Sequence, residues 1–141
     1  MKKFTIRLIP LLLAALLLLS ACGKSAAPAV TAPPRPAEGE VMRLGEGEKE
    51  FSFEITFGDG SVSAYEIRSD EETVGQALQA LGLIEGEEGP YGLYVKTVGG
   101  ETFEYENGGR FWAFYIDGEY AATGVDVTEI ENGASYAFRV E

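Results

Sequence analysis

The N-terminus of this 141-residue chain carries an unbroken apolar run from Leu8 to Leu19. Three basic residues precede the run, two small residues follow it, and no acidic residue occurs before Glu38. A basic start, a short apolar stretch and a small-residue end are typical of a cleavable secretory signal. The run is shorter than the roughly 20 residues that cross a bilayer as a helix. The sequence therefore predicts that residues 1–21 are a signal peptide and that the remainder folds outside the cytoplasm.

Cys22 follows the predicted signal peptide directly and is the only cysteine of the chain. The segment Leu19-Ser20-Ala21-Cys22 resembles the lipobox of bacterial lipoproteins. The resemblance implies cleavage before Cys22 and a diacylglyceryl thioether on its sulfur. Two or more acyl chains hold a protein stably on a membrane, because each buried methylene contributes about 0.8 kcal/mol. We therefore expect an extracytoplasmic protein that is lipid-anchored to a bacterial membrane through Cys22, with no disulfide within the chain.

The predicted mature chain is strongly acidic. Removal of residues 1–21 deletes three of the 11 basic residues and none of the 23 acidic ones, which leaves a net side-chain charge of −15. Such a surface repels the phosphate backbone, so we expect no nucleic-acid partner. Solubility on a crowded cell surface accounts for the acidity, and a cationic or divalent partner is the alternative.

Residues 22–49 differ in composition from the rest of the chain. They hold four of the six prolines, among Ala, Gly, Ser and Glu, and contain few large apolar residues. A segment of this composition cannot bury a core. We expect residues 22–49 to form a disordered, partly extended tether and residues 50–141 to form one domain.

The domain begins with the pattern of a strand hairpin followed by a helix. Apolar and polar residues alternate over 51–57, Gly58-Asp59-Gly60 predicts a turn, and residues 62–68 return as a second strand. Thr73 and Gln76 then have the spacing of a capping box. The apolar residues that follow recur at helical intervals, which predicts a helix of about three turns ending near Gly82.

The remainder of the domain is predicted to be strands and turns. The candidate strands are Leu93–Val98, Thr102–Tyr105, Phe111–Ile116, Glu119–Ala122 and a last strand containing Tyr136, Phe138 and Val140. The order of hairpin, single helix and further strands predicts an α+β fold. We expect a β-grasp-like arrangement, in which one helix packs on one mixed, mostly antiparallel sheet.

Several segments of the domain resemble the C-terminal domain of transcobalamin and intrinsic factor, in order and spacing as well as in sequence. They are Thr73-Val74-Gly75-Gln76-Ala77-Leu78, Leu81-Gly82-Leu83, Trp112-Ala113-Phe114-Tyr115-Ile116-Asp117-Gly118-Glu119-Tyr120-Ala121, Gly124-Val125-Asp126 and Ile130-Glu131-Asn132-Gly133. The resemblance implies the soluble ligand-binding branch of the β-grasp folds. In the vitamin carriers this domain closes over cobalamin held against a larger helical domain. Cobalamin or another corrinoid is thus the ligand that the resemblance implies.

The residues that most often carry chemistry are scarce in this chain. It has no histidine, and Cys22 is assigned to the lipid. A Ser-His-Asp triad is therefore excluded, and neither a P-loop nor a helix-loop-helix calcium motif occurs. The acidic clusters Glu85, Glu87, Glu88 and Asp126, Glu129, Glu131 lack the spacing of a calcium cage. We expect no enzymatic activity, no metal site and no cofactor, a corrinoid entering only as a ligand.

The aromatic hairpin at 111–122 is the candidate binding element. Asp117-Gly118 predicts a two-residue turn that pairs Tyr115 with Tyr120. Tyr115 and Tyr120 then share one face, while Trp112 and Phe114 share the other with Ala121 and Thr123. Whichever set faces away from the core forms an exposed aromatic patch. With one adjacent loop residue, the candidate ligand-binding residues are Trp112, Phe114, Tyr115, Tyr120, Thr123 and Asp126.

Two functions fit these patterns. The first is a surface module that binds a flat or amphipathic small molecule without chemistry, with a second protein completing the pocket. The second is a protein-interaction or adhesion module that uses the same patch or an edge strand. A structural accessory subunit of a surface uptake complex is a third interpretation, which the sequence does not separate from these two.

Overall fold

The computed structural model describes residues 31–141. The predicted signal peptide, Cys22 and the first part of the tether lie outside the described residues, and what we expect of them stays a prediction. Within residues 31–141, no helix is both long and apolar enough to cross a bilayer.

Nine strands and one α-helix make up the described part of the chain. They are β1 (Val41–Leu44), β2 (Lys49–Thr56), β3 (Val62–Ser69), α1 (Val74–Ala80), β4 (Ile84–Gly89), β5 (Gly92–Val98), β6 (Glu101–Thr102), β7 (Trp112–Ile116), β8 (Glu119–Tyr120) and β9 (Ser135–Val140). Two short 3-10 turns, Tyr105–Asn107 and Val125–Val127, connect some of them.

The strands form two sheets. The large sheet has six strands in the order β1-β3-β2-β9-β7-β8, and the small sheet has three in the order β4-β5-β6. In the large sheet, β2 pairs antiparallel with β3 and parallel with β9, and β1 runs parallel to β3. The large sheet is therefore mixed, and the predicted hairpin of β2 and β3 is confirmed.

The prediction of one helix on one sheet is wrong, although the fold is broadly α+β. The small sheet was not predicted, because β4 carries no alternating pattern: Ile84 is buried and residues 85–89 are all exposed. Backbone pairing with β5 makes this segment a strand, and the register shifts between Glu85 and Gly86. From the sequence alone, a run of exposed acidic residues predicts a charged loop and not a strand.

The helix begins as the sequence predicts. The Thr73 side chain accepts a hydrogen bond from the Gln76 backbone N–H at 3.2 Å, and the Gln76 side chain accepts one from the Thr73 N–H at 3.2 Å. This reciprocal pair confirms the capping box. The helix is shorter than expected, at seven residues, and the chain leaves it through Gly82, whose φ of 72° suits glycine.

The folded region starts before residue 50, inside the segment that we assigned to the tether. Pro36 is buried, and the guanidinium of Arg35 lies 3.7 Å from the ring centre of Phe57. β1 then adds an edge strand to the large sheet beside β3. A four-residue strand among Pro, Gly and Glu residues has too short a pattern to be recognised in the sequence.

One core joins the helix and both sheets. The same cluster of buried side chains contains Val74 and Leu78 from α1, Val98 from β5 and Phe53 and Phe138 from the large sheet. The helix and the small sheet therefore cover the same face of the large sheet. This face, called the inner face below, is the one that carries Trp112 and Phe114.

Candidate functional site

The hairpin of β7 and β8 has the predicted register. Tyr115 pairs with Tyr120 and Ile116 with Glu119. Asp117 and Gly118 both have positive φ, 49° and 83°, as the two central residues of a type I′ turn require. Asp117 has a second role that the sequence did not reveal, because its Oδ1 accepts a hydrogen bond from the Ser135 N–H at 2.9 Å. The turn is thereby fixed to the start of β9.

Trp112 and Phe114 point into the core and are only 6% and 8% exposed. The Trp112 ring meets Phe57 and Phe103 edge-on, with centroids 6.2 and 5.6 Å away. Its indole N–H donates to the Glu101 carbonyl at 3.1 Å. The sequence did not decide which face of the aromatic hairpin is buried. The structure shows that it is the face of Trp112 and Phe114, because both α1 and the small sheet pack over it.

Tyr115 lies on the opposite, outer face of the large sheet. Its hydroxyl hydrogen-bonds the Glu141 carboxylate, and this bond, together with the nearby negative charge, raises the pKa of Tyr115. The Arg139 guanidinium lies 4.5 Å from its ring centre, and the Tyr120 ring meets it edge-on at 5.7 Å. Tyr115 is therefore half covered by its own neighbours.

A groove of about 210 Å³ runs between β5 and the hairpin of β7 and β8. Four of the six candidate residues line it, namely Trp112, Phe114, Tyr120 and Thr123. We call it the hairpin groove. Tyr120 borders the groove from the outer face of the hairpin, where its ring packs edge-on against Tyr115 and 64% of its surface is accessible. Tyr115 does not line the groove, and the hairpin groove therefore does not unite the whole candidate set.

Asp126 sits behind the hairpin groove and does not line it. A Cβ placed on Gly92 would lie 2.9 Å from its Oδ2, and the φ of 104° at Gly92 favours glycine at that position of β5. Its Oδ1 is buried and has no hydrogen-bond partner among residues 31–141. Asp126 thus connects the 3-10 turn Val125–Val127 with the start of β5 by close packing.

The second wall of the hairpin groove was missed in the sequence. Leu93, Tyr94 and Val95 of β5 form it, together with Val125 and Phe138. β5 itself was predicted as a strand, but no local pattern shows that the small sheet folds back against β7. Such placement depends on pairings between distant segments.

Metal coordination has no obvious site in the described part of the chain. Among residues 31–141, no group of three or more His, Cys, Asp or Glu side chains is arranged to hold an ion.

Comparison with known proteins identifies the class of the domain. Residues 71–141, half of the chain, match the model of DUF4430, a domain of unknown function, and the chain belongs to this family. No curated protein matches it.

Two solved structures are similar. The first is a protein from Ruminococcus gnavus ATCC 29149 that bears the provisional name of a metal binding protein. It has a TM-score of 0.63 and 28% identity, over 67% of this chain and 97% of that chain. The second is haptocorrin in complex with Cbi, with a TM-score of 0.50 and 13% identity, over 70% of this chain and 26% of that chain. The second likeness concerns the fold alone, and it supports the transcobalamin-like fold that the motifs implied.

Proposed function

We propose that this protein is a lipid-anchored extracytoplasmic binding protein that holds a small amphipathic ligand in the hairpin groove without chemical conversion. The observation that carries the proposal is the convergence of Trp112, Phe114, Tyr120 and Thr123 on one groove. The exposed edges of Trp112 and Phe114 and the neighbouring Tyr120 supply apolar contact area, and the Thr123 hydroxyl supplies a polar contact at the rim. A site of this composition suits a flat ligand with polar substituents.

A corrinoid is the leading candidate for this ligand. Its ring is broad and flat, with amide groups at the periphery, which matches an apolar wall with a polar rim. The similarity in fold to haptocorrin, a structure solved with Cbi, supports the same choice.

The hairpin groove is too small to enclose such a ligand. Its volume of about 210 Å³ is below the roughly 300–1,000 Å³ of pockets that bury drug-sized molecules. It would contact one edge of a corrinoid and leave the rest in solvent. The chain also spans only 26% of haptocorrin. We therefore propose a half-site, which a second surface protein completes.

The proposed anchor is Cys22, and it can be tested independently of the ligand. Cells that express the chain would be labelled with a radioactive fatty acid. We expect the label on the wild-type protein and none on Cys22→Ser, which should appear in the soluble extracytoplasmic fraction. Equal labelling of both forms would contradict the anchor.

Equilibrium dialysis of the full chain in a maltoside detergent against cobinamide tests the ligand. Thr123→Phe adds a ring at the exposed rim of the hairpin groove without altering the core. Val62→Phe, at an exposed position of β3, is the matched control. We expect Thr123→Phe to weaken binding at least about tenfold, which is about 1.4 kcal/mol, and Val62→Phe to leave it unchanged. Equal binding by both variants would remove the hairpin groove from consideration.

A protein-interaction module is the second candidate, favoured by the exposed edge of the large sheet. β8 is a two-residue edge strand that presents Tyr120 to solvent, and such edges can pair with another chain. Pull-down from surface extracts with wild type and with Tyr115→Ala/Tyr120→Ala would test it. Loss of a specific partner from the double variant is expected under this candidate, and equal recovery would contradict it.

A further inference from the structure

A second groove, of about 460 Å³, lies at the tip of the hairpin formed by β4 and β5. It is bounded by residues 87–94 of that hairpin and by Tyr105 and Glu106 of the 3-10 turn. We call it the tip groove. It shares Leu93 and Tyr94 with the hairpin groove as a common wall, but none of the six candidate residues lines it.

Three tyrosines form the aromatic part of the tip groove. Tyr91 is fully exposed and Tyr105 largely so, while Tyr94 is half-buried. The Tyr105 backbone N–H donates to the Tyr94 hydroxyl at 3.2 Å, and the Tyr105 ring meets Phe111 edge-on at 6.2 Å. These contacts hold two of the rings in place before any ligand arrives. A fully exposed tyrosine beside them offers a third aromatic face.

The charged part of the tip groove is entirely acidic. Glu87, Glu88 and Glu106 line it, and no lysine or arginine does. Glu87 pairs with Lys96 at 3.0 Å. Glu88 and Glu106 have no ion pair within residues 31–141. Glu88 and Glu106 therefore face the groove without an ion pair. The Lys96 ammonium also lies 5.6 Å from the Tyr94 ring centre, so within residues 31–141 Tyr91 and Tyr105 are the rings of the groove without a cation of the protein's own.

We propose that the tip groove binds a small organic cation with a quaternary ammonium head. The negative faces of aromatic rings attract such cations, and clusters of aromatic side chains recognise them in other proteins. The negative charges of the unpaired carboxylates attract the same cation. A phosphocholine lipid headgroup is disfavoured, because its phosphate would lie among the same carboxylates. The occupant is thus a free cation without an adjacent anionic group.

Choline and its neutral isostere 3,3-dimethylbutan-1-ol separate charge recognition from apolar packing. Each would be titrated into the full ¹⁵N-labelled chain in a maltoside detergent, which contains no choline group. We expect choline to shift the backbone amides of Gly89, Tyr91 and Gly92 with a dissociation constant on the order of 1 mM. The neutral isostere should bind at least about fivefold more weakly. Equal shifts from both probes, or none from choline, would overturn the proposal.

Two variants assign the effect to the groove. Tyr91→Ala is safe for folding because the side chain is fully exposed, and it should weaken choline binding about threefold to tenfold. Glu88→Gln/Glu106→Gln should weaken it similarly and reduce its dependence on salt. Glu119→Gln, an exposed acid on β8, is the control and should leave binding unchanged. Wild-type affinity in both groove variants would contradict the site. Failure of this test is distinguishable from failure of corrinoid binding, since Tyr91, Glu88 and Glu106 do not line the hairpin groove.

Discussion

The indole N–H of Trp112 donates a hydrogen bond to the backbone carbonyl of Glu101 across 3.1 Å. Trp112 begins β7 of the large sheet, and Glu101 begins β6 of the small sheet. One side chain therefore ties the two sheets together, and the same side chain lines the hairpin groove between them. Trp112 therefore contributes both to the packing of the two sheets and to the wall of the hairpin groove.

Trp112→Phe should lower the free energy of unfolding by about 2 kcal/mol. The substitution leaves the Glu101 carbonyl without its partner and opens space beside Phe57 and Phe103. Urea unfolding followed by circular dichroism measures the change. Tyr120→Phe, which keeps the ring at an exposed position, should change stability by less than about 0.5 kcal/mol. A Trp112→Phe variant as stable as wild type would show that the two sheets do not depend on this bond.

Gly75→Ala should destabilise the protein, although alanine normally favours a helix over glycine by about 1 kcal/mol. A Cβ at Gly75 would lie 2.9 Å from the Cα of Asp126 and 3.0 Å from the Val125 carbonyl oxygen. These backbone atoms belong to the 3-10 turn Val125–Val127, whose Val125 lines the hairpin groove, and they would have to move. Thermal unfolding gives the sign, with Gln79→Ala on the exposed face of α1 as the control. A higher melting temperature for Gly75→Ala would contradict the close packing.

A chain that begins at residue 50 should be less stable than one that begins at residue 31. The shorter chain lacks β1, the buried Pro36 and the contact of Arg35 with Phe57. We expect a loss of about 2 kcal/mol from the lost apolar burial and the cation–π contact. Parallel urea titrations of the two chains measure the difference. Equal urea midpoints for the two chains would show that residues 31–49 do not stabilise the domain, as expected if the tether extends to residue 49.

Alkaline pH should destabilise the fold through two buried tyrosines. Burial raises the pKa of both Tyr65 and Tyr136 above the usual 10.0. Below about pH 10 these tyrosines are protonated in both the folded and the unfolded chain, so the stability is unaffected. As the pH rises further, they ionise more readily in the unfolded chain, and the free energy of unfolding falls. Absorbance at 295 nm should show these two phenols titrating above about pH 10 and only together with unfolding. Ionisation of Tyr65 and Tyr136 at about pH 10 while the circular dichroism spectrum stays native would contradict this.

The features that the sequence predicts correctly are local. The capping box of Thr73 and Gln76 and the turn at Asp117-Gly118 depend on residues no more than three positions apart. The register of Tyr115 and Tyr120 follows directly from that turn. Hydrogen-bonding side chains and turn chemistry act over such spacings whatever the rest of the chain does.

The features that the sequence missed are non-local. β4 is a strand because its backbone pairs with β5, and its exposed glutamates carry no alternation. The wall formed by Leu93 and Val95 depends on how the small sheet meets β7. Even the choice between the two faces of the aromatic hairpin was open, since it is decided by which face α1 and the small sheet cover.

Fluorescence of Trp112, the only tryptophan of the chain, tests the central proposal most directly. Cobinamide would be titrated into the full chain in a maltoside detergent, with correction for its absorbance. We predict saturable quenching with a dissociation constant on the order of 100 μM. Tyr120→Ala should weaken it at least about fivefold, whereas Tyr115→Phe, which keeps the ring on the outer face, should not change it. Absence of saturable quenching up to about 1 mM, or equal quenching in the two variants, would contradict ligand binding in the hairpin groove.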